Sequence, residues 1–139
     1  MLTFRFLKRP GTRTIKGIIS LYSLQGWWDK KDTLKLAAAI IKNSHCFLAV
    51  TEKDRVIGIG RAISDGVSDA YLQDIAVLEG YRGRGIGAKI VAALKERLDH
   101  DGIKWVGLVA QDDSSAFYKK LGFKIIKKAE PMMLKSNHV

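Results

Sequence analysis

The chain has 139 residues, 47% apolar and 27% charged, which excludes a disordered chain and fits one globular domain over 1–139 with its own core. Its 24 basic and 14 acidic residues give a formal net charge of +10, a field that draws in anions such as nucleic acid, an acidic membrane or a phosphorylated small molecule. The one cysteine excludes an internal disulfide framework, and the opening MLTFRFLKRPGTR lacks the apolar run of a signal peptide or membrane span, so a cytoplasmic protein without a membrane partner is expected.

Residues 2–7 partly alternate apolar and polar and read as an opening strand. From 14 to 24, Ile15, Ile18, Ile19 and Tyr22 recur at helical spacing, and Gly26 breaks that helix before Trp27 and Trp28. Asp32 or Thr33 caps a second helix through Leu34, Leu36, Ala37, Ile40 and Ile41. Residues 45–51 and 56–62 are β-rich runs around a polar turn at 52–55, and 71–78 is a fourth strand. Cys46 lies in the apolar run CFLAV and reads as a buried bystander rather than a nucleophile. A third helix spans about 85–98, with Ile86, Ile90, Ala93, Leu94 and Leu98 on one face. Gly102 stops it, and 103–110 returns as a strand. Asp112 or Asp113 caps a short fourth helix that ends at Leu121-Gly122-Phe123, with Gly122 suited to a left-handed position and Phe123 folding back. Two last strands are expected at 124–128 and 132–135, around Pro131. The order predicts an α/β architecture: a mixed central sheet with helices on both faces, the helix after the fourth strand being the crossover.

The stretch YRGRGIG at 81–87 puts three glycines and two arginines into seven positions between a strand and a helix. Glycines let an anion approach the backbone, the helix N-terminus carries partial positive charge, and arginines add forked donors for phosphate oxygens. A Walker loop is excluded because no Gly-Lys-Ser/Thr follows a glycine at the right spacing. A dinucleotide fingerprint, Gly83-x-Gly85-x-x-Ala88, matches in letters, but too few strand–helix units follow for a doubly wound sheet. A glycine turn without a ligand is the plain alternative.

The run LQDIAV at 72–77 followed by YRGRGIG resembles the acetyl-CoA-binding motif of the GCN5-related N-acetyltransferase (GNAT) family, and AFYKKLGF at 116–123 resembles the family's second signature. The strand–helix order is similar to that fold from end to end. The resemblance implies that the amides of Arg82, Gly83, Arg84, Gly85, Ile86 and Gly87 hold the pyrophosphate of acetyl-CoA. It implies that the backbone of Ile75, Ala76 and Val77 pairs with the pantetheine arm, and that one of those amides polarises the thioester carbonyl. Tyr118 matches the tyrosine that protonates the departing thiolate, with a buried structural tyrosine as the other reading. Gln111 stands where many relatives have a cofactor-contacting asparagine.

The family binds its acceptor around the first two helices, here the segment with Trp27, Trp28 and Asp29. The two tryptophans are candidates for an aromatic wall or for plain core. Asp65, Asp69, Gln73 and Asp74 are candidates to face an amine. Glucosamine-phosphate acetyltransferases carry a glutamate where Gln73 stands, and glutamine cannot take a proton. Water lined by Gln73 and Asp69 is therefore expected to replace a dedicated base. In a regular strand Gln73 and Asp74 point to opposite faces. His45 reads as structural, and no metal-ligand spacing occurs. The expectation is an acetyl-CoA-dependent N-acetyltransferase in which a small-molecule primary amine attacks the thioester directly, as monomer or homodimer. An acyl-CoA-binding regulatory domain without turnover is the alternative. Nucleic acid is not an expected partner, because no helix-turn-helix, aromatic–basic RNA motif or zinc pattern is present.

Overall fold

Among the described residues the order is β1 (Leu2–Leu7), α1 (Thr12–Leu24), α2 (Leu34–Asn43), β2 (Cys46–Glu52), β3 (Arg55–Ser64), β4 (Asp69–Val77), α3 (Ile86–His100), β5 (Trp105–Gly107) and α4 (Ser115–Lys120). This computed structural model describes residues 1–29, 31 and 33–136, in two units, Met1–Leu108 and Val109–Val139. The nine elements follow the predicted order.

In the first unit the sheet order is β1-β2-β3-β4-β5. The first four strands pair antiparallel, and β5 joins β4 in parallel after the α3 crossover. The β2–β3 hairpin turns on Lys53 and Asp54, with φ 48° and 68°. Two successive left-handed residues match the right-handed twist of the flanking strands.

One sheet face is covered by α1 and α2. Ile15, Ile18, Leu21 and Tyr22 of α1, with Ala37 and Ile41 of α2, pack on Phe47, Val56, Ile59 and Ala76. The opposite face takes α3, which buries Ile86, Ile90, Val91, Leu94 and Leu98. Val91 rather than Ala93 completes that stripe. The approach of α3 depends on Gly60 of β3: a Cβ there would stand 2.6 Å from Ile90 Cγ2 and 2.9 Å from Ile75 Cδ1.

Two helices of this unit end in the same way. At α1, Gly26 has φ 79°, its N–H donates to Ser23 O (3.0 Å) and Trp27 N–H donates to Tyr22 O (3.1 Å). At α3, Gly102 has φ 84°, its N–H donates to Asp99 O (3.0 Å) and Ile103 N–H donates to Leu98 O (2.9 Å). Each is a left-handed glycine followed by an apolar residue that folds back on the helix. Thr33 caps α2, accepting from Leu36 N–H at 3.3 Å, while the other cap candidate, Asp32, lies outside the described residues. The strand expected over 103–110 is shorter, because Ile103 is committed to the α3 cap and pairing with β4 stops at Tyr71–Gly107.

The second unit holds α4, whose N-cap position is Ser114 rather than Asp112 or Asp113, with no side-chain capping bond. Those two aspartates instead adopt φ 50° and 61°. Gly122 has φ 98°, its N–H donates to Lys119 O, and Phe123 N–H donates to Tyr118 O, both at 3.1 Å, as the sequence predicts. The strands expected at 124–128 and 132–135 do not form. Lys128 sits at φ 60°, which breaks an extended run at the end of the first of them.

Candidate active site

The glycine stretch is a turn folded back on the sheet. Leu78 N–H donates to Ile57 O at 2.7 Å, Tyr81 N–H to Leu78 O at 3.0 Å, and Arg82 Nε to Val77 O at 2.8 Å. Tyr81 OH donates to Glu52 Oε1 at 2.5 Å, and Arg84 lies over the Tyr81 ring at 5.3 Å. The phenol's hydrogen bond holds the Glu52 carboxyl below its ordinary value, and the carboxylate in turn lifts the Tyr81 phenol. Gly83 and Gly85 both have φ 77°, and a Cβ on either would meet nothing within 4 Å. These glycines supply left-handed backbone beside open space. Gly85 caps α3, whose first closing bond runs from Lys89 N–H to Gly85 O. The amides of Ile86, Gly87 and Ala88 precede that bond, the arrangement that receives an anion at a helix start.

β4 reaches this turn through a bulge. Arg61 pairs with Gln73 and Ile59 with Ala76, so Asp74 and Ile75 together oppose Gly60. Asp74 has φ 58°. The extra residue inverts the direction of the backbone groups. His45 N–H takes Ala62 O, which turns Arg61 and Ile63 toward Gln73 and Tyr71. Past the bulge, Leu78 N–H takes Ile57 O, so alternation turns Ala76 and Leu78 toward β3. The amides of Ile75 and Val77 then point to the other edge. On that edge β5 pairs with residues 69–71 and not with 72–77.

The bulge corrects the expectation that Gln73 and Asp74 face opposite sides. Arg61 reaches both: Nε donates to Asp74 Oδ2 at 2.6 Å and Nη2 to Gln73 Oε1 at 3.1 Å. Tyr22 OH also donates to Asp74 Oδ2, at 2.6 Å. Burial, then the neighbouring carboxylate, raises the Tyr22 phenol far above its ordinary value, so it stays a donor. Trp28 stacks on Tyr22 with centroids 4.4 Å apart, and Trp27 meets the same ring edge-on at 5.8 Å. Trp28 packs against the core, whereas Trp27 is 40% exposed.

The other acceptor candidates are placed apart. Asp69 opens β4 opposite Trp105 and accepts from Ser68 Oγ at 2.8 Å. Four strand residues, roughly 13 Å, separate it from Gln73. Asp65 accepts from the amides of Val67 and Ser68 and organises a turn. Asp29 accepts from Lys31 N–H at 2.8 Å. His45 Nε2 lies 2.8 Å from Asp101 Oδ2, a structural contact. Tyr22, Arg61 and Asp74 are what the residue pattern leaves unassigned as a group. The available signal was Arg61 itself, one cation in the otherwise apolar run VIGIGRAI.

In the second unit, Tyr118 lies between Phe117 and Phe123, with centroids 4.9 Å and 5.7 Å away. Burial raises its phenol above the ordinary value. Gln111 is exposed, and its carbonyl accepts from Ser114 N–H at 3.0 Å.

The five-stranded mixed sheet with helices on both faces is the GNAT fold. The Acetyltransferase (GNAT) family model matches residues 14–123, and the chain belongs to this family. It is 31% identical over 113 residues to the uncharacterized N-acetyltransferase ycf52 of Pyropia yezoensis, covering 76% of this chain and 65% of that protein. It is 32% identical over 123 residues to the histone acetyltransferase TAP1 of Glycine max, covering 77% and 53%. A probable acetyltransferase of unknown function from meticillin-resistant Staphylococcus aureus matches with TM-score 0.81 at 26% identity, over 98% of this chain and 100% of that one. The chain spans about half to two thirds of the length of these curated relatives.

Proposed function

We propose that the protein is an N-acetyltransferase that moves an acetyl group from acetyl-CoA to a primary amine, and that the amine belongs to a small molecule. The observation that carries the donor side is the edge of β4. The amides of Ile75 and Val77 face an edge that β5 leaves unpaired, and the strand leads straight into the glycine turn. An extended pantetheine arm fits such an edge as an added strand. The first-turn amides of α3, with Arg82, Gly83, Arg84, Gly85, Ile86 and Gly87, fit a pyrophosphate. Acetyl-CoA, when bound, supplies the thioester carbonyl that a neutral amine attacks directly, a C–N bond forming as the C–S bond breaks. The Ile75 or Val77 amide stabilises the charge that develops on the carbonyl oxygen. Tyr118 gives its proton to the leaving sulfur, a role taken from the family signature and suited to a phenol that burial keeps protonated, while the proton shed by the attacking nitrogen passes to water, which restores the phenol. The family match runs without interruption from 14 to 123 and so includes both the glycine turn and Tyr118.

The net charge of +10 supports a small acceptor over a strongly basic peptide. Trp27 and Gln73 are its assigned contacts, with Trp28 behind them. The histone acetyltransferase among the relatives gives the opposing expectation for the acceptor. One screen decides: small amines and a lysine-rich peptide are offered with acetyl-CoA and free thiol release is read. Turnover of small amines is the expected result. Faster turnover of the peptide would reassign the acceptor, and acetyl-CoA binding without any turnover would favour a regulatory acyl-CoA-binding domain.

A further inference from the structure

An aspartate at φ 58° in the middle of a strand needs outside support, because side chains are disfavoured in that region. Asp74 receives it from two directions. Tyr22 OH reaches its carboxylate from α1 and Arg61 Nε from β3, each at 2.6 Å on the same oxygen. Arg61 is itself braced, by Gln73 Oε1 at 3.1 Å and by Ser44 Oγ at 3.3 Å. Ser44 is tied to the end of α2 by its hydroxyl bond to Ile40 O at 2.7 Å. The ends of both helices on this face, and the neighbouring strand, therefore converge on the one residue that makes the bulge.

That residue decides which amides serve the donor. In an unbulged β4 the parity of Tyr71 and Gln73 would continue to Ile75 and Val77, turning both amides into the ladder with β3. Only the extra residue turns them outward. We propose that Tyr22 and Arg61 act through Asp74 as positioning residues, clamping the bulge so that the Ile75 and Val77 amides are aimed at the acetyl donor. The inference rests on the donor site proposed above. Because Tyr22 also carries Trp27 and Trp28 on its ring, one side chain joins the aromatic acceptor wall to the strand that holds the donor.

Two variants test the clamp. Tyr22→Phe keeps the stacked ring and deletes the hydroxyl; Asp74→Asn keeps a residue tolerant of left-handed backbone and weakens the hold of Arg61. Each is measured for kcat, for the Kd of CoA, which has no acetyl carbonyl, and for amide hydrogen exchange without ligand. The expected result is kcat lower by about tenfold or more, short of outright loss of an oxyanion donor, with the CoA Kd, whose pantetheine arm shares the same amides, raised by clearly less than the fall in kcat. Exchange at the Gln73 and Ala76 amides, which flank the bulge and face β3, should quicken at least about tenfold while Leu78 keeps its protection. Unchanged kcat, unchanged exchange at those two amides, or CoA affinity lost in step with kcat would each overturn the clamp. A parent protein that neither binds CoA nor turns over an amine would sink the proposed activity instead, and the exchange measurement would still decide the clamp.

Discussion

Gly60 stands where α3 comes closest to the sheet, and its replacement by alanine has a calculable consequence. The added carbon would lie 2.6 Å from Ile90 Cγ2, 2.9 Å from Ile75 Cδ1 and 3.1 Å from Leu94 Cδ1. Carbon atoms in contact settle at about 3.5–4.0 Å, so Ile90 must retreat by roughly 1 Å. Ile90 and Leu94 are fully buried and have nowhere to go. Overpacking of this kind costs about 1–3 kcal/mol. With the clash taken at the middle of that range, about 2 kcal/mol, the offset of about 0.4–1 kcal/mol from the stiffer unfolded chain of the alanine variant leaves a net loss of roughly 1–1.6 kcal/mol. For a chain of this size the Tm should fall by about 3–8 °C, read by calorimetry or circular dichroism. Ile75 adjoins the bulge, so the displacement should reach the donor edge and lower kcat as well. Ile90→Ala removes the clashing methyl, and in a double-mutant cycle the pair should lose less than the sum of the singles by at least about 0.5 kcal/mol. A Gly60→Ala protein as stable as its parent, or a strictly additive cycle, would refute the reasoning.

Tyr118→Phe should lower kcat by about 10²–10⁴ with acetyl-CoA affinity nearly intact; a lower Tm with unchanged kcat would make Tyr118 structural only. Gly85→Asp places a carboxylate in open space at a left-handed position, where a side chain costs about 1–2 kcal/mol, so the Tm should fall by a few degrees while acetyl-CoA affinity drops at least tenfold, about 1.4 kcal/mol by titration calorimetry. Asp69→Asn should cost less than about tenfold in kcat, since Asp69 opens β4 well away from Gln73; a thousandfold loss with binding intact would identify it as a base. The hydrogen bond from His45, followed by those of His100 and Arg97, holds the Asp101 carboxyl at about 2 against an ordinary 3.8. A depressed carboxyl stabilises the fold above its unfolded value and loses that contribution as pH falls toward 2. Between pH 4 and 2 the Tm of the parent should therefore fall more steeply than that of Asp101→Asn, and equal slopes would contradict this.

What could be read from the chain is what depends on neighbours in sequence. Gly26-Trp27, Gly102-Ile103 and Gly122-Phe123 each mark a helix end, because a left-handed glycine and an apolar residue folding back are local chemistry. The glycine turn after β4 was legible for the same reason. Asp74 was not, since its left-handed φ is held by Tyr22, 52 residues away, and by Arg61, 13 residues away. Strict alternation is the right default for a strand, and a bulge defeats it without leaving a mark in the letters LQDIAV. The strands expected at 124–128 and 132–135 failed for a related reason: β-rich composition describes a residue's suitability for a sheet and says nothing of an edge to pair with. Gly60 shows the reverse case, a glycine inside a strand whose purpose becomes visible only when Ile90 is seen against it.

Cys46, buried in β2 at 4% exposure, has its thiol pushed up to about 11, chiefly by burial. At neutral pH the thiol there stays protonated. With the activity proposed above, free CoA would be released at every turnover, and the protein would work in a growing solution of thiol and of whatever disulfide that thiol forms in air. Exchange between sulfurs requires a thiolate and a line of approach, and this chain offers neither. The CoA released in the proposed reaction would therefore find no ready partner in Cys46. A thiol-trapping dye added to follow the reaction should colour with the product alone, and the preparation should age without adducts of its own making.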